Sequence, residues 1–339
     1  MARYYSEDLT EQIYFLEAIS KSDEFQFLSV AKNFRLDHTN NVTDVQWLKY
    51  KSLLCSSSPT NLTITKFTKN FKELQKLLIT CPYLTRLRLN VTLPILVFPT
   101  TLTHLDFGNH FNYSVDKLVL PPNLQTLKFG TLFNQPVNQL VLPSNLQILK
   151  FGMYFNQPVD KLVLPPNLKR LVFGTNDSGY FNQPVDKLVL PPKLQHLEFG
   201  SYFNHPVDKL VLPPNLKHLE FSRHFNHPVD QLVLPLSLKH FDFGTNFNQP
   251  VDQLVLPPNL HFLDFGCCFN QPVDHLVLPA FLNTLDFGEE FNQPVDQLIL
   301  PSKLQYLNFG TSFKYSFNVI RIPKSVVYVG VGAFTLTFN

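Results

Sequence analysis

The chain is poor in tryptophan, methionine and cysteine, with 1 Trp, 2 Met and 4 Cys among its 339 residues. Cys55, Cys81, Cys267 and Cys268 lack the spacing of a metal site or of a disulfide framework. So few thiols fit a reducing compartment, and we expect the adjacent Cys267 and Cys268 to be unpaired. The sequence therefore predicts neither a bound metal nor a disulfide.

An excess of charge and a long apolar run are missing too. The 28 Lys+Arg nearly balance the 26 Asp+Glu, which argues against a surface for nucleic acid or anionic membrane. No apolar run approaches the roughly 20 residues that span a bilayer. Glu7 and Asp8 stand where a secretory signal would be basic and then apolar. We expect a cytoplasmic protein that binds neither nucleic acid nor membrane.

Motifs of catalysis are also absent. The chain has no Gly-rich phosphate loop, no nucleophile motif and no cluster of metal ligands. We therefore predict that the protein is not an enzyme, with no catalytic residue and no cofactor.

What the chain has is one motif, Phe-Asn-Gln-Pro-Val-Asp, repeated in intact and altered copies. Successive Phe-Asn pairs follow at one constant step, as from Phe111 to Phe133, except for a longer step from Phe155 to Phe181. A fixed period in the twenties indicates a solenoid, in which each coil buries its apolar face against its neighbours. The pairs start at Phe111, Phe133, Phe155, Phe181, Phe203, Phe225, Phe247, Phe269 and Phe291, with a decayed copy at Phe313.

Each copy contains two apolar segments. The first, L-x-x-L-x-F, is the strand signature of leucine-rich repeats, and a glycine follows it in every copy except the one with Ser222. The second, Leu-Val-Leu, ends at a proline, which marks a strand end. We predict a mainly β, leucine-rich-repeat-like solenoid of ten 22-residue repeats with two strands per coil. The repeated Asn and Asp should bind backbone groups at the turns. A catalytic role does not explain them, because a catalytic group is needed only once and these residues recur in nearly every coil.

This repeat resembles the FNIP repeat, which occurs in social amoebae and in giant viruses that infect amoebae. The resemblance covers about residues 100–320 and implies a relative of the leucine-rich repeats without catalysis of its own. If the protein is viral, it implies the host cytoplasm as the location. We divide the chain into an F-box-like region at 1–52, a leucine-rich-repeat-like cap at 53–100, the solenoid at 101–320 and a capping coil at 321–339.

Residues 1–52 have apolar side chains at helical spacing, and we predict a small α-helical region there. The segment from Asp23 to Phe34 resembles the middle of an F-box, although the usual Leu-Pro opening is absent. The resemblance implies that Ile13, Leu16, Val30 and Phe34 bind Skp1 and that the protein is the substrate receptor of a Skp1–cullin ubiquitin ligase. The alternatives are a plain helical cap, and a repeat scaffold or decoy without a ligase link.

In L-x-x-L-x-F the residues two and four after the first Leu should point outward. They form a basic block, which is followed by a column of histidines and a column of acids. Like charges on adjacent strands destabilise a sheet. A protein target with a basic surface could dock there, or the histidines could simply neutralise the acids. The partner-binding residues that this pattern predicts are Lys128, Lys150, Arg170, His196, Glu198, His218, Glu220, His240, Asp242, Asp264 and Asp286.

The second segment has a column of its own, from Val119 to Ile299. If the flanking leucines point inward, these side chains form an exposed apolar stripe, which usually contacts another molecule. β-branched residues also suit a strand for its own sake, so both interpretations stay open.

Overall fold

The computed structural model describes residues 13–15, 33–37, 59–66, 71–89, 97–174, 178–315, 321–332 and 334–337. The chain divides into two compact units, Met1–Gly152 and Met153–Asn339. Each unit is a parallel β-solenoid with one short strand per coil, so the predicted mainly β solenoid of 22-residue coils is confirmed.

The described residues of the first unit form seven strands and one helix. All neighbouring strands pair in parallel and in sequence order. Helix α1, Phe71–Ile79, lies between β3 and β4 and buries Leu74, Leu77 and Leu78. The strands are β1 Ile13–Phe15, β2 Asn33–Asp37, β3 Asn61–Lys66, β4 Arg86–Leu89, β5 His104–Asp106, β6 Thr126–Lys128 and β7 Ile148–Phe151.

The described residues of the second unit form nine strands. The first eight pair in parallel and the last pair, β15 with β16, is antiparallel. Corresponding residues of successive coils are direct neighbours, as His218 is of His196 and His240. The strands are β8 Arg170–Phe173, β9 His196–Phe199, β10 His218–Glu220, β11 His240–Asp242, β12 Phe262–Asp264, β13 Thr284–Asp286, β14 Tyr306–Asn308, β15 Tyr328–Val331 and β16 Phe334–Thr337.

Two phenylalanines per coil fill the core, as the repeat predicts. Phe199 and Phe203 have no exposed surface, and their ring centroids are 4.2 Å apart. Phe203 in turn stacks on Phe225 of the next coil at 6.1 Å, with the ring planes 6° apart. The core is thus held by stacking within each coil and between coils.

The repeated asparagine links successive coils. The backbone N–H of Asn226 donates to Oδ1 of Asn204 at 3.0 Å, and the same bond recurs along both units. The series ends in the second unit where the backbone N–H of Lys314, in the decayed copy, donates to Oδ1 of Asn292 at 3.1 Å. The predicted structural role of this asparagine is confirmed.

The repeated aspartate behaves differently. Asp186 and Asp208 are exposed. In the described part of the second unit no backbone N–H donates to the carboxylate of the Pro-Val-Asp aspartates. The predicted hydrogen bonds between these carboxylates and the backbone of the turns are therefore wrong. Their side chains remain at the surface.

The second strand predicted for each coil is wrong. In the coil of Leu210, one turn closes with Leu210 N–H bound to the Val207 oxygen at 3.0 Å. The next turn begins at Pro213, whose oxygen accepts from Leu216 N–H at 3.1 Å. Only positions 211 and 212 lie between these turns, and the proline that follows them cannot donate. None of the described Leu-Val-Leu segments is a strand.

The predicted helices of residues 1–52 are wrong where the structure describes that region. Ile13–Phe15 is strand β1, and Asn33–Asp37 is strand β2, which pairs with β1 and β3. Ile13 and Phe34 therefore belong to the sheet of the first unit, whereas Leu16 and Val30 lie outside the described residues. Apolar spacing alone did not distinguish helix from strand in segments this short.

The 26-residue step is accommodated between Gly174 and Gly179, which lie next to each other. Gly174 has φ 91°, and a Cβ there would lie 2.5 Å from the Cα of Gly179. The regular inter-coil bonds resume at once, from Tyr180 N–H to the Met153 oxygen and from Tyr202 N–H to the Gly179 oxygen. The inserted residues are therefore 175–178, which leaves the register of the sheet intact.

Candidate interaction surface on the sheet

The outward positions of the sheet in the second unit form two half-buried columns. On β9, β10 and β11 the outer residues are intermediate in exposure and the central residue is buried, as alternation in a strand requires. Val172 of β8 is an exception, because it is 1% exposed although it stands at a predicted outward position. The first column begins with Arg170 and the second with this valine.

The first column is a stack of flat rings. The imidazole centroids of His196 and His218 are 4.1 Å apart, and those of His218 and His240 are 4.0 Å apart. The phenyl ring of Phe262 continues the stack at 4.1 Å from His240. Burial, followed by the nearby His218 and His196, lowers the pKa of His240 to about 4. The histidine is therefore neutral at pH 7 and does not neutralise an acid as a cation.

The first two acids of the second column have partners within the sheet. Nε2 of His196 lies 3.2 Å from Oε2 of Glu198, and a guanidinium nitrogen of Arg170 donates to the same oxygen at 3.2 Å. His218 and Glu220 form the equivalent pair at 3.1 Å. Burial opposes ionisation of Glu198, yet the bonds and charges of His196 and Arg170 lower its pKa below the usual range. These two carboxylates are satisfied inside the protein.

The next three acids, Asp242, Asp264 and Asp286, which we call the aspartate row, lack a basic partner. Oδ1 of each accepts the backbone N–H of a glycine two residues later, at 2.7–2.8 Å. Asp286 also accepts from the neutral amide of Asn308 at 2.9 Å. Within the described part of the chain no cationic side chain forms an ion pair with any of them. The carboxylates are neighbours on β11, β12 and β13.

Burial and mutual repulsion make these aspartates hard to ionise. Burial, opposed by the Gly244 N–H and reinforced by the nearby acids, raises the pKa of Asp242 to about 6. Burial together with the charges of Asp242 and Asp286 raises the pKa of Asp264 to about 7. Burial also raises the pKa of Asp286. The aspartate row thus holds protons near neutral pH that a bound cation would displace.

A groove of about 450 Å³ runs beside the aspartate row. The turn glycines Gly244, Gly266 and Gly288 line it, together with the charged groups of Arg223 and Glu289. Sequence reasoning identified the carboxylates but not this groove, because the groove depends on how the glycine turns stack. The repeated glycine was the available signal: a Cβ on Gly266 would lie 1.8 Å from the Gly244 oxygen.

The predicted basic block is divided between the two units. Lys128 and Lys150 are paired neighbours on β6 and β7 of the first unit, whereas Arg170 stands on β8 of the second and binds Glu198. Asp106 of β5, also in the first unit, forms an ion pair with Arg88 at 3.6 Å. The structure therefore gives Arg170 a role within the second unit and places Lys128 beside Lys150 in the first.

Two further findings concern the described residues as a whole. No group of three or more His, Cys, Asp or Glu side chains among them is arranged to hold a metal ion. Helix α1 is too short to cross a membrane, and no longer helix lies within the described ranges.

Comparison with known proteins gives a family and a fold. A family model described as FNIP Repeat matches residues 90–132, 133–176, 181–224, 225–268, 269–312 and 291–332. The crystal structure of CroV588, a circular leucine-rich-repeat protein of the giant virus CroV, is 33% identical with a TM-score of 0.61. The match covers 89% of this chain and 50% of that one, so the chain spans half the length of CroV588.

An internalin, InlF from Listeria monocytogenes, is 13% identical over 81% of this chain and 87% of its own, with a TM-score of 0.43. A comparison with curated proteins gave no match.

Proposed function

The chain belongs to the FNIP repeat family, and on that premise we propose that it is a non-catalytic interaction protein whose aspartate row binds a basic segment of a protein target. The fold is that of a repeat scaffold, which presents a long, regular surface. The observation that carries the proposal is the contrast within one column. Glu198 and Glu220 have basic partners, whereas the aspartate row lies beside a groove and forms no ion pair within the described ranges.

A basic segment complements this row. Repulsion between neighbouring carboxylates destabilises the unit as long as no cation approaches, and a lysine or arginine side chain would remove that repulsion. Salt should weaken the binding of such a partner, but less than at a fully exposed pair, because each carboxylate is half-buried. The stacked rings of His240 and Phe262 stand beside the row and offer an aromatic border to the same partner.

A substrate receptor of a Skp1–cullin ligase is the other candidate. It requires residues 1–52 to form the helices that hold Skp1, with Ile13 and Phe34 among the contacts. Strands β1 and β2 occupy those two positions, which supports a scaffold without a ligase link. We expect immobilised protein to capture no purified Skp1, and capture would favour the receptor.

A labelled hexalysine peptide tests the aspartate row, with hexaglutamate as the control probe. Fluorescence anisotropy should show hexalysine binding that weakens more than about 10-fold when all three residues are changed to Asn. The matched control, Glu198→Gln with Glu220→Gln, should change the affinity by less than about 3-fold, because these groups are already paired. Affinity should rise from pH 6 to pH 8 as Asp242 and Asp264 lose their protons. Equal loss in both variants would contradict the proposal.

A further inference from the structure

A second surface of the second unit is apolar and independent of the sheet. Seven β-branched residues, one per coil, are 78–84% exposed, although such side chains are usually at least half-buried. They are Val163, Val189, Val211, Val233, Val255, Val277 and Ile299, which we call the valine stripe.

Strand propensity does not explain the valine stripe. β-branched residues favour strands because their side chains pack on a pleated surface. Here the segment lies between two turns, as in Val207–Leu210 and Pro213–Leu216, and forms no strand. The leucine before each valine is buried and fills the core. The exposed valine side chain therefore adds nothing to the buried core of the coil that carries it.

The area of the stripe is that of a protein interface. An exposed valine side chain offers roughly 100 Å² of apolar surface, so seven offer roughly 700 Å². The largest apolar patch of a typical monomer is about 300–600 Å². An interface of standard size buries about 800 Å² on each partner. The stripe alone thus supplies most of the contact area that one stable dimer needs.

The charges beside the stripe are uneven along it. Every coil places an exposed aspartate three residues before its stripe residue, from Asp160 to Asp296. The next residue is lysine in the first three coils, at 161, 187 and 209, and Gln231, Gln253, His275 and Gln297 in the last four. No ion pair within the described ranges joins any of the three lysines to a carboxylate. These aspartates and the residues that follow them form a border along the stripe. The border is balanced in charge in the first three coils and negative in the last four.

We propose that a second copy of this chain covers the valine stripe, antiparallel to the first about a two-fold axis at Val233. A two-fold axis that crosses the stripe reverses its direction but keeps the charged border on the same side. Val233 then meets its own symmetry mate, and Val211 meets Val255. On the border, Lys187 of one copy faces Asp274 of the other, and Lys209 faces Asp252. The negative half of each copy's border thus faces lysines of the other copy, and the two-fold axis produces this contact twice.

The oligomeric state of the full chain tests this proposal. Sedimentation equilibrium at about 10 µM, above the Kd expected of a standard interface, should give a dimer. Val233→Lys places two cations together at the axis and should give a monomer. Leu236→Lys is the matched control, since Leu236 is an exposed residue of the same coil outside the stripe, at 70% exposure. It should remain a dimer.

The border charges test the antiparallel direction separately. Lys187→Asp and Asp274→Lys should each weaken the dimer by about 10-fold or more, because each creates like-charge pairs. The two together restore opposite charges across the axis and should restore the affinity. Circular dichroism should show that every variant keeps the wild-type fold. A monomeric wild type, or a Val233→Lys dimer, would overturn the proposal. Single substitutions that weaken the dimer without rescue would overturn the antiparallel arrangement.

Discussion

The buried phenylalanine rows and the outward columns of the sheet are built by the same coils, yet they vary to very different degrees. The first Phe row from Phe173 to Phe309 contains the same residue in every coil of the second unit. The outward columns pass from arginine through histidine to tyrosine, and from glutamate to aspartate to asparagine. The interior repeats because each coil must fit the same neighbour, whereas the exterior is free to differ.

This difference separates residues that hold the fold from residues available for binding. Repetition explains Asn204, whose side chain binds the next coil, and it argues against a special role for any one copy. A departure from repetition needs another reason. The valine stripe is an exception, because it repeats at the surface although its side chains do not contribute to the buried core.

The interior should show the largest effect. Changing Phe199 to Ala removes a ring with no exposed surface from a continuous stack and should lower the free energy of unfolding by about 3–5 kcal/mol. Tyr202→Ala in the same coil removes a ring that is 43% exposed and should cost much less. Urea unfolding followed by circular dichroism measures both. Equal losses of stability in the two variants would contradict the assignment of Phe199 as a buried ring and Tyr202 as a partly exposed one.

The aspartate row should show an intermediate effect of opposite sign. The pKa of Asp264 is raised to about 7 in the folded chain, so the folded state binds a proton that the unfolded state releases above pH 4. Stability from this group is therefore present below about pH 4 and is lost as pH rises through 7. Asp264→Asn should stabilise the protein by up to about 4 kcal/mol at pH 8 and very little at pH 4.

Exposed Asp208→Asn is the control for that measurement, and we expect no comparable change with pH. His240 acts in the other direction, since its lowered pKa of about 4 makes the fold lose stability as pH falls through 6.5 towards 4. Thermal melts of the wild type and the two Asn variants between pH 4 and 8 separate these contributions. A stabilisation by Asp264→Asn that is the same at every pH would contradict the assignment.

The inserted loop should show the smallest effect. Removing residues 175–178 joins Gly174 to Gly179 and should change the free energy of unfolding by less than about 1 kcal/mol, because loop length carries little entropy. Removing residues 176–179 deletes the same number of residues but puts Thr175 in the place of Gly179, where a Cβ would lie 2.6 Å from the Cα of Gly200. The second deletion should be clearly less stable in the same urea experiment. Equal stability would place the insertion elsewhere.

The 22-residue period was sufficient to predict the solenoid, both phenylalanine rows and the outward direction of Glu198 and Asp242. It did not predict where strands form. Leu-Val-Leu has strand composition, but the turns that close at Leu210 and open at Pro213 leave no room for a ladder. Residues 1–52 lack the repeat, so nothing in their spacing indicated that Ile13 and Phe34 would extend the sheet.

The site was only partly predictable for a related reason. Residue type and register placed the acids in one column, and both are readable in the sequence. The division of that column into a half with basic partners and a half without them depends on side-chain length and on the turn. Glu198 is long enough to reach Arg170 and His196, whereas Asp264 turns back to the Gly266 N–H. Contacts of this kind appear only when the coils are stacked.

The asparagine series also bears on how such a chain can change its number of coils. Each asparagine from Asn182 to Asn270 both receives a bond from the following coil and gives its own N–H to the preceding one, as Asn226 does between Asn204 and Asn248. A gene duplication or deletion of one whole coil therefore leaves each remaining asparagine with a neighbour on both sides. At the C-terminal end of the series the backbone N–H of Lys314 takes the place of an asparagine N–H. The array can be lengthened or shortened by unequal crossing-over, one coil at a time, without new interactions having to arise.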